Sequence, residues 1–269
     1  MVKQIATEDR NFDKLAARFK RNVYGGLKGA IRLAVLQRDF SEHLPIAPFD
    51  EGTQPKKLRV LDAGGGQGQF SLQLAKAGHE VVICDISSEM LALAREAAEE
   101  LGVVDHVQIL HCAIQDLPRH LDDCCFDLVL CHAVMEWMLE PRLLLPCLNR
   151  YLKTDGYLSL TYYNLHSLIY KNLLRTNYKK VIAQDYGGWR GSLTPINPID
   201  PAHVDQWMVD LPLTRLAHSG IRVFHDYILD EQERQREPDQ VIALELQLSR
   251  QEPYRSLGRY IHVLAQKVS

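Results

Sequence analysis

No stretch of the 269 residues approaches the ~20 consecutive apolar positions that a membrane-crossing helix needs. The first ten residues, Met-Val-Lys-Gln-Ile-Ala-Thr-Glu-Asp-Arg, lack the apolar centre of a secretion signal. A soluble cytoplasmic protein with no membrane partner is the expectation. Cysteine is scarce, and Cys84, Cys112, Cys124, Cys125, Cys131 and Cys147 show no metal-type spacing. No metal is expected, and thiols used as small apolar residues fit a reducing compartment. Charge of one sign is not in excess either: 31 Lys and Arg face 34 Asp and Glu, a net charge of −3. The whole molecule is no magnet for a polyanion, so a nucleic-acid partner would need a local basic face. Hydrophobic content of 46% and charged content of 24% are ordinary for a globular chain, and the length suits one large α/β domain with additions.

Glycine is concentrated in one place. The run Leu58-Arg59-Val60-Leu61-Asp62-Ala63-Gly64-Gly65-Gly66-Gln67-Gly68-Gln69-Phe70 reads as a buried strand, a glycine turn and the start of a helix. That geometry lets a ligand lie against bare backbone at a helix N-terminus. The spacing excludes two common uses. A dinucleotide fingerprint G-x-G-x-x-G would need glycine at Gln69 or Ser71, and a phosphate loop would need Gly-Lys-Ser/Thr, which is missing. Asp62-x-Gly64-x-Gly66-x-Gly68 instead resembles the first motif of class I S-adenosylmethionine-dependent methyltransferases. A glycine turn that merely packs strand on helix would use the same residues. Asp85 adds weight, because it ends the next strand about 20 residues beyond Gly66, the offset at which an acid grips a ribose diol in such folds. Its bland alternative is to cap the following helix, a task Ser87 or Ser88 could serve as well.

The remaining chain alternates. Residues 1 to about 25 carry Arg10, Lys14, Arg18, Lys20 and Arg21, with Phe12, Leu15, Ala16 and Phe19 at helical spacing. A second helix is expected from about Lys28 to Phe40, and an N-terminal helical lid would place Tyr24 and Arg32 near the site. Strands Leu58–Leu61, Val81–Asp85, Val107–His111, Phe126–Cys131 and Leu158–Tyr162 are separated by helices Phe70–Ala77, Ser88–Leu101, Ala133–Trp137 and Pro141–Tyr151. Such alternation means a parallel sheet wound right-handedly, whose ligands bind at the C-terminal strand ends. Four segments end there: Gly64–Gly68, Asp85, Ala113–Gln115 and His132. Residues 163 to about 215 read as an insertion, with Lys171, Arg175, Lys179, Lys180 and Arg190 among Tyr170, Tyr178, Tyr186 and Trp189. That mixture suits a stacked single strand of nucleic acid, and also an ordinary solvated helix face. Strand Ile221–Tyr227, helix Glu231–Arg250 and strand Arg259–Ala265 follow. The expected fold is a single α/β domain: a Rossmann-like, mostly parallel seven-stranded sheet with a reversed last strand, N-terminal helices over residues 1–50, and the insertion after strand five.

Several segments together resemble one family. They are Arg10-Asn11-Phe12-Asp13, Leu58–Gly68, His132-Ala133-Val134-Met135-Glu136-Trp137, Gly220–Tyr227, Arg250-Gln251-Glu252-Pro253-Tyr254 and Leu257–Val263. The chain is similar along nearly its whole length to the bacterial tRNA 5-carboxymethoxyuridine methyltransferases. The glycine motif is common to all class I methyltransferases, whereas the Arg-Gln-Glu-Pro-Tyr segment is far more particular. One departure is Lys153-Thr154-Asp155-Gly156, where many relatives have Pro-Gly-Gly. The resemblance implies S-adenosylmethionine as cofactor, held by Arg32, Gly64, Gly65, Gly66, Asp85, Ala113, Ile114 and His132. Ala113 and Ile114 would flank the adenine, with Gln115 or Asp116 near its amino group. It also implies a tRNA anticodon stem-loop as partner and the carboxylate of the wobble 5-carboxymethoxyuridine as acceptor.

A carboxylate nucleophile is already ionised at neutral pH, so no general base is needed and none is evident. Catalysis would be alignment of acceptor and methyl donor. Candidates for holding the acceptor are Tyr162, Tyr163, His166, Arg222, Arg250 and Arg255. The missing Asn/Asp-Pro-Pro-Tyr motif argues against an exocyclic amine as acceptor. The alternatives are a class I enzyme acting on a small-molecule oxygen, and a binding module that keeps the cofactor pocket without turnover.

Overall fold

The computed structural model describes residues 9–11, 13, 26–45, 49, 56–186 and 195–268. Helix α1 spans Gly26–His43 and buries Ile31, Arg32, Val35, Leu36, Asp39 and Phe40. The core then runs through β1 (Arg59–Ala63), α2 (Ser71–Lys76), β2 (Glu80–Asp85), α3 (Ser88–Leu101), β3 (Val107–His111), β4 (Phe126–His132), α4 (Leu144–Tyr151) and β5 (Leu152–Tyr163). After β5 come α5 (Leu165–Leu174), α6 (Tyr178–Ile182) and α7 (Pro201–Val209). The chain closes with β6 (Leu213–Ile221), α8 (Pro238–Leu248) and β7 (Tyr260–Lys267). The seven strands lie in the order β3-β2-β1-β4-β5-β7-β6. β7 is antiparallel to both neighbours, and the other pairs among β1–β5 are parallel.

The order reverses beside β1, which places the switch point where β1 and β4 part. Central strands are apolar on both faces, as a parallel sheet covered by helices requires: β4 is buried from Phe126 to Cys131. Two apolar clusters fill the two sides, one around Phe126, Leu145, Leu148 and Leu160, the other around Phe40, Leu72, Leu91 and Leu130. Local chemistry sets the helix ends. The Ser87 hydroxyl accepts the Met90 amide (3.2 Å) to start α3, and Gly102 ends it in the left-handed region. Asp200 caps α7, with Pro201 at its first position.

Four expectations are corrected. Residues 133–137 form only a 3-10 turn, Met135–Trp137, because Ala133 takes a positive φ of 59° that no helix can contain. β5 begins at Leu152 instead of Leu158. The turn expected over 153–156 is an irregularity within the strand, with Asp155 at φ 62° and Gly156 so close to the Lys153 and Phe126 carbonyls that a Cβ would not fit. The sixth strand ends at Ile221, where a strand to Tyr227 was expected. The amides of Val223, Phe224 and His225 go to the Glu245 carboxylate (2.7, 3.2 and 2.9 Å), so they cannot join a ladder. The helix expected from Glu231 begins only at Pro238, which has no amide to continue an earlier turn. The helix expected before residue 25, with Tyr24, lies outside the described residues, as do Trp189 and Arg190.

Candidate active site

A cleft of about 750 Å3, its open mouth included, lies over the C-terminal ends of β1, β2 and β4. Its floor is the glycine turn. The Gly64 and Gly65 amides donate to the Cys84 carbonyl (2.8 and 3.1 Å), tying the turn to the end of β2. Beneath it, the Asp62 carboxylate accepts the Ser71 hydroxyl (2.6 Å), and burial raises its pKa to about 7. Gly64 has φ 71°, and a Cβ there would stand 2.5 Å from Val134 Cγ2. Gly64→Ala is therefore expected to cost about 2 kcal/mol or more, from left-handed strain plus a collision in a packed wall. Thermal unfolding of the variant checks this, and an unchanged midpoint would contradict it.

Asp85 meets the cleft from the end of β2. Its Oδ2 accepts the Gly66 amide (2.9 Å) and its Oδ1 the Ser87 amide (2.8 Å). Two backbone donors fix the carboxylate, and each oxygen keeps a second acceptor site for a ligand hydroxyl. Burial raises its pKa, and those amide bonds oppose the rise. Ile86, Met90 and Ile114 supply apolar wall, and Gln115 donates its amide to Asp9 Oδ2 (2.9 Å). This set fits S-adenosylmethionine: an acid for the ribose, apolar surface for the adenine, and glycine backbone that admits the methionine portion.

Residues Asp9, Arg10, Asn11 and Asp13 strap the mouth. Asp9 Oδ1 accepts the Leu139 amide (2.8 Å), and the Arg10 amide donates to the Trp137 carbonyl (3.1 Å). Asn11 donates to the Ile86 carbonyl (3.0 Å), and Asp13 accepts the Ser87 hydroxyl (2.7 Å). Asp9, Arg10, Trp137 and Met138 all line the cleft, and sequence reasoning missed them as donor-site residues. Arg10 and Trp137 fall in the resembling segments, whereas Asp9 and Met138 stand one position outside them.

His132, at the end of β4, forms one wall and begins a buried chain. Its Nε2 is hydrogen-bonded to Ser159 Oγ (2.8 Å), which is hydrogen-bonded to His262 Nε2 (2.9 Å); His262 Nδ1 donates to Asp39 Oδ2 (2.7 Å). Arg38 and Arg250 donate to the other Asp39 oxygen (2.8 and 2.5 Å). Burial holds the His132 pKa well below the ordinary histidine value, with His262 and Arg32 adding to the effect. His132 is thus a neutral imidazole with a fixed ring, and its nitrogen facing Ser159 is not available to a ligand.

The structure sorts the expected site residues. Gly64, Gly65, Gly66, Asp85, Ile114 and His132 meet around the cleft. Ala113 does not; its neighbours Cys112 and Ile114 do. Arg32 is buried off the cleft wall, its guanidinium 4.5 Å from the centre of the Tyr260 ring. Of the acceptor candidates, Arg250 is withdrawn: it pairs with Asp39 and Glu42 on α1. Arg255 pairs with Glu252, and His166 lies 3.7 Å from Asp200. Tyr162 points into the core beside Met208, since alternation along β5 sends it opposite to Tyr163. Tyr163 and Arg222 stay at the strand ends, in a separate cluster with Tyr260, Arg259 and Asp226. Among the described residues no group of His, Cys, Asp or Glu could hold a metal ion, and no helix is long and apolar enough to cross a membrane.

Residues 61–160 match a family model described as a methyltransferase domain. The chain is 43% identical to the tRNA 5-carboxymethoxyuridine methyltransferase of Escherichia coli (strain K12) over 260 residues, covering 97% of each protein. It is 31% identical to the ubiquinone biosynthesis O-methyltransferase of Actinobacillus pleuropneumoniae serotype 7 (strain AP76), over 56% of this chain and 62% of that one. Among solved structures, a chain of the complex between the Haloferax volcanii Trm112 methyltransferase activator and a methyltransferase aligns with a TM-score of 0.60 at 17% identity, covering 96% of each. A SAM dependent methyltransferase from Aquifex aeolicus aligns at 0.54 and 16% identity, over 94% and 98%. Likeness at that identity speaks for the fold alone. The match that covers 97% of both chains, on a fold shared with solved methyltransferases, places this chain in the tRNA 5-carboxymethoxyuridine methyltransferase family, class I enzymes whose methyl donor is S-adenosylmethionine.

Proposed function

We propose that the protein methylates the carboxylate of 5-carboxymethoxyuridine at the wobble position of tRNA, in the cytoplasm, giving the methyl ester. The observation that carries this is the 43% identity over 97% of the chain, which takes in the acceptor side as well as the donor cleft. S-adenosylmethionine, held against Gly64, Gly65, Gly66 and Asp85, would supply an electrophilic methyl, and an acceptor carboxylate that is already ionised would need no residue of this chain to take a proton. The residues of the cleft suit a reaction without proton transfer. His132 is neutral and committed to Ser159, and Asp85 is committed to two amides. What this chain does is orient: Asp85 holds the ribose, and Asp9, Arg10, Asn11 and Asp13 tie down the mouth of the donor cleft.

A local basic face is present despite the net negative charge. Arg175, Lys179 and Lys180 are exposed on α6 and the residues before it, with Tyr178 among them exposed at 55%. Lysine and arginine for phosphates beside the exposed Tyr178 suit an anticodon loop with an unstacked base. Incubation with the donor and tRNA lacking the ester is expected to add one CH2 to the wobble nucleoside by mass analysis. Binding should weaken steeply with salt. A wobble nucleoside of unchanged mass would overturn the proposal.

A further inference from the structure

The cluster at the ends of β5, β6 and β7 has more positive charge than it uses. Asp226 is its buried anion, 3.5 Å from Arg222 Nη1 on one oxygen and 3.5 Å from Arg259 Nε on the other. Both are longer than a good hydrogen bond. Arg222 Nε and Arg259 Nη1 are buried without a hydrogen-bond partner among the described residues. A buried guanidinium N–H left unused is costly unless something else accepts it. Lys171 adds to the excess: burial, and then the charge of Arg259, lower its pKa to about 8.

The cluster is built, not incidental. Glu245 gathers three consecutive amides of the loop after β6 and so fixes the backbone between Arg222 and Asp226. Arg222 is held at φ 60°, a conformation that a non-glycine residue adopts at a cost. Tyr163 and Tyr260, in register across β5 and β7, present their rings to Arg259 (4.6 Å) and Arg222 (5.4 Å). Such rings orient guanidinium groups without neutralising them.

Its position is also right. His132 on the donor cleft is in register with Thr161 of β5, and Tyr163 is two residues further on at the same sheet edge. Adjacent strands are about 4.8 Å apart, so the cluster sits roughly one to three strand widths from the donor. Arg32 spans the gap, over the Tyr260 ring and within electrostatic reach of His132 and Glu136.

We infer that Arg222 and Arg259, flanking Asp226, receive the carboxylate of the methyl acceptor. This rests on the proposed ester formation on tRNA and names the residues that recognise its acceptor. Guanidinium donors can hold one carboxylate oxygen and leave lone pairs of the other for the methyl. Once the ester forms the negative charge is gone, and so is most of the attraction, which favours product release.

The test compares binding of two tRNAs, one carrying 5-carboxymethoxyuridine and the same tRNA carrying 5-methoxyuridine, which lacks the carboxylate. Wild-type protein is expected to prefer the first by about tenfold or more, the worth of a charge-assisted contact. Arg259→Met and Arg222→Met should bring that preference close to one, while calorimetric affinity for S-adenosylmethionine stays unchanged. Arg259→Lys, which spares Asp226 its loss of a counter-charge, should keep part of the preference and serves where the methionine variants do not fold. A preference retained in variants that bind the donor normally would overturn the assignment, as would a wild-type protein that binds both tRNAs equally. Failure of the underlying reading shows separately, as absence of ester from wild-type reactions.

Discussion

Asp85→Ala is expected to weaken S-adenosylmethionine binding by about 100-fold or more while the sheet stays folded. A carboxylate accepting ligand hydroxyls makes charge-assisted hydrogen bonds of about 1.5–3 kcal/mol each, so losing two removes roughly 3 kcal/mol at least. The substitution also frees the Gly66 and Ser87 amides, so the glycine turn loosens at the point where the ligand lies. Asp85→Asn keeps the shape and one acceptor oxygen, and should fall between wild type and alanine. Calorimetry on the three proteins, with thermal unfolding as the control on folding, checks the ordering. Wild-type affinity in the alanine variant would refute the ribose assignment. Because burial raises the Asp85 pKa, donor affinity should begin to fall at a higher pH than an ordinary carboxylate would give, as the protonated acid is a poorer acceptor.

Asp39 is expected to give the largest loss of stability. It is fully buried and is the one anion on which Arg38, Arg250 and His262 converge among the described residues. Asp39→Asn preserves size and removes the charge, leaving Arg38 and His262 without that counter-charge and Arg250 with Glu42 alone. Breaking a buried ionic network in this way costs about 3–5 kcal/mol. For a chain of this size the midpoint should drop by on the order of 10 °C. Burial alone would raise the Asp39 pKa, but the hydrogen bond and charge of His262, with Ser219 and Arg38, outweigh it and hold the carboxyl well below the ordinary range. A depressed folded-state pKa means this stabilisation is complete above the unfolded value near 4. It is lost as pH falls through and below that value. The wild-type protein should therefore lose stability on acidification over that window more steeply than Asp39→Asn. Equal midpoints, or parallel acid limbs, would show that the network contributes nothing.

The glycine floor of the cleft and the acid beside it were legible because they are local. One strand, one glycine turn and the end of the next strand hold Gly64, Gly65, Gly66 and Asp85 within a short run of chain, and strand alternation fixes which way they face. The N-terminal strap was not legible, since Asp9 and Arg10 carry no periodicity that would assign them to Gln115, Trp137 and Leu139. Arg250 shows the opposite failure. It sits in the most particular segment of the sequence and is basic, yet its charge is spent on Asp39 and Glu42 of α1. Arg222 and Arg259 have the same chemistry and the opposite state, with a donor atom left over on each.

Residue order and type by themselves determined the sheet, the glycine turn and the acid that faces it, because those depend on contacts between near neighbours and on which side chains avoid water. Which arginines are neutralised and which remain open was decided only in the folded molecule. Asp39 and His262 are 223 positions apart, and meet because β7 runs antiparallel against β5 and brings its side chain under α1. The same register sets Tyr163 beside Tyr260 and brings Arg259 and Arg222 onto one aspartate. A guanidinium looks alike in any sequence; whether it serves the fold or awaits a ligand depends on how many acceptors the tertiary structure puts within its reach.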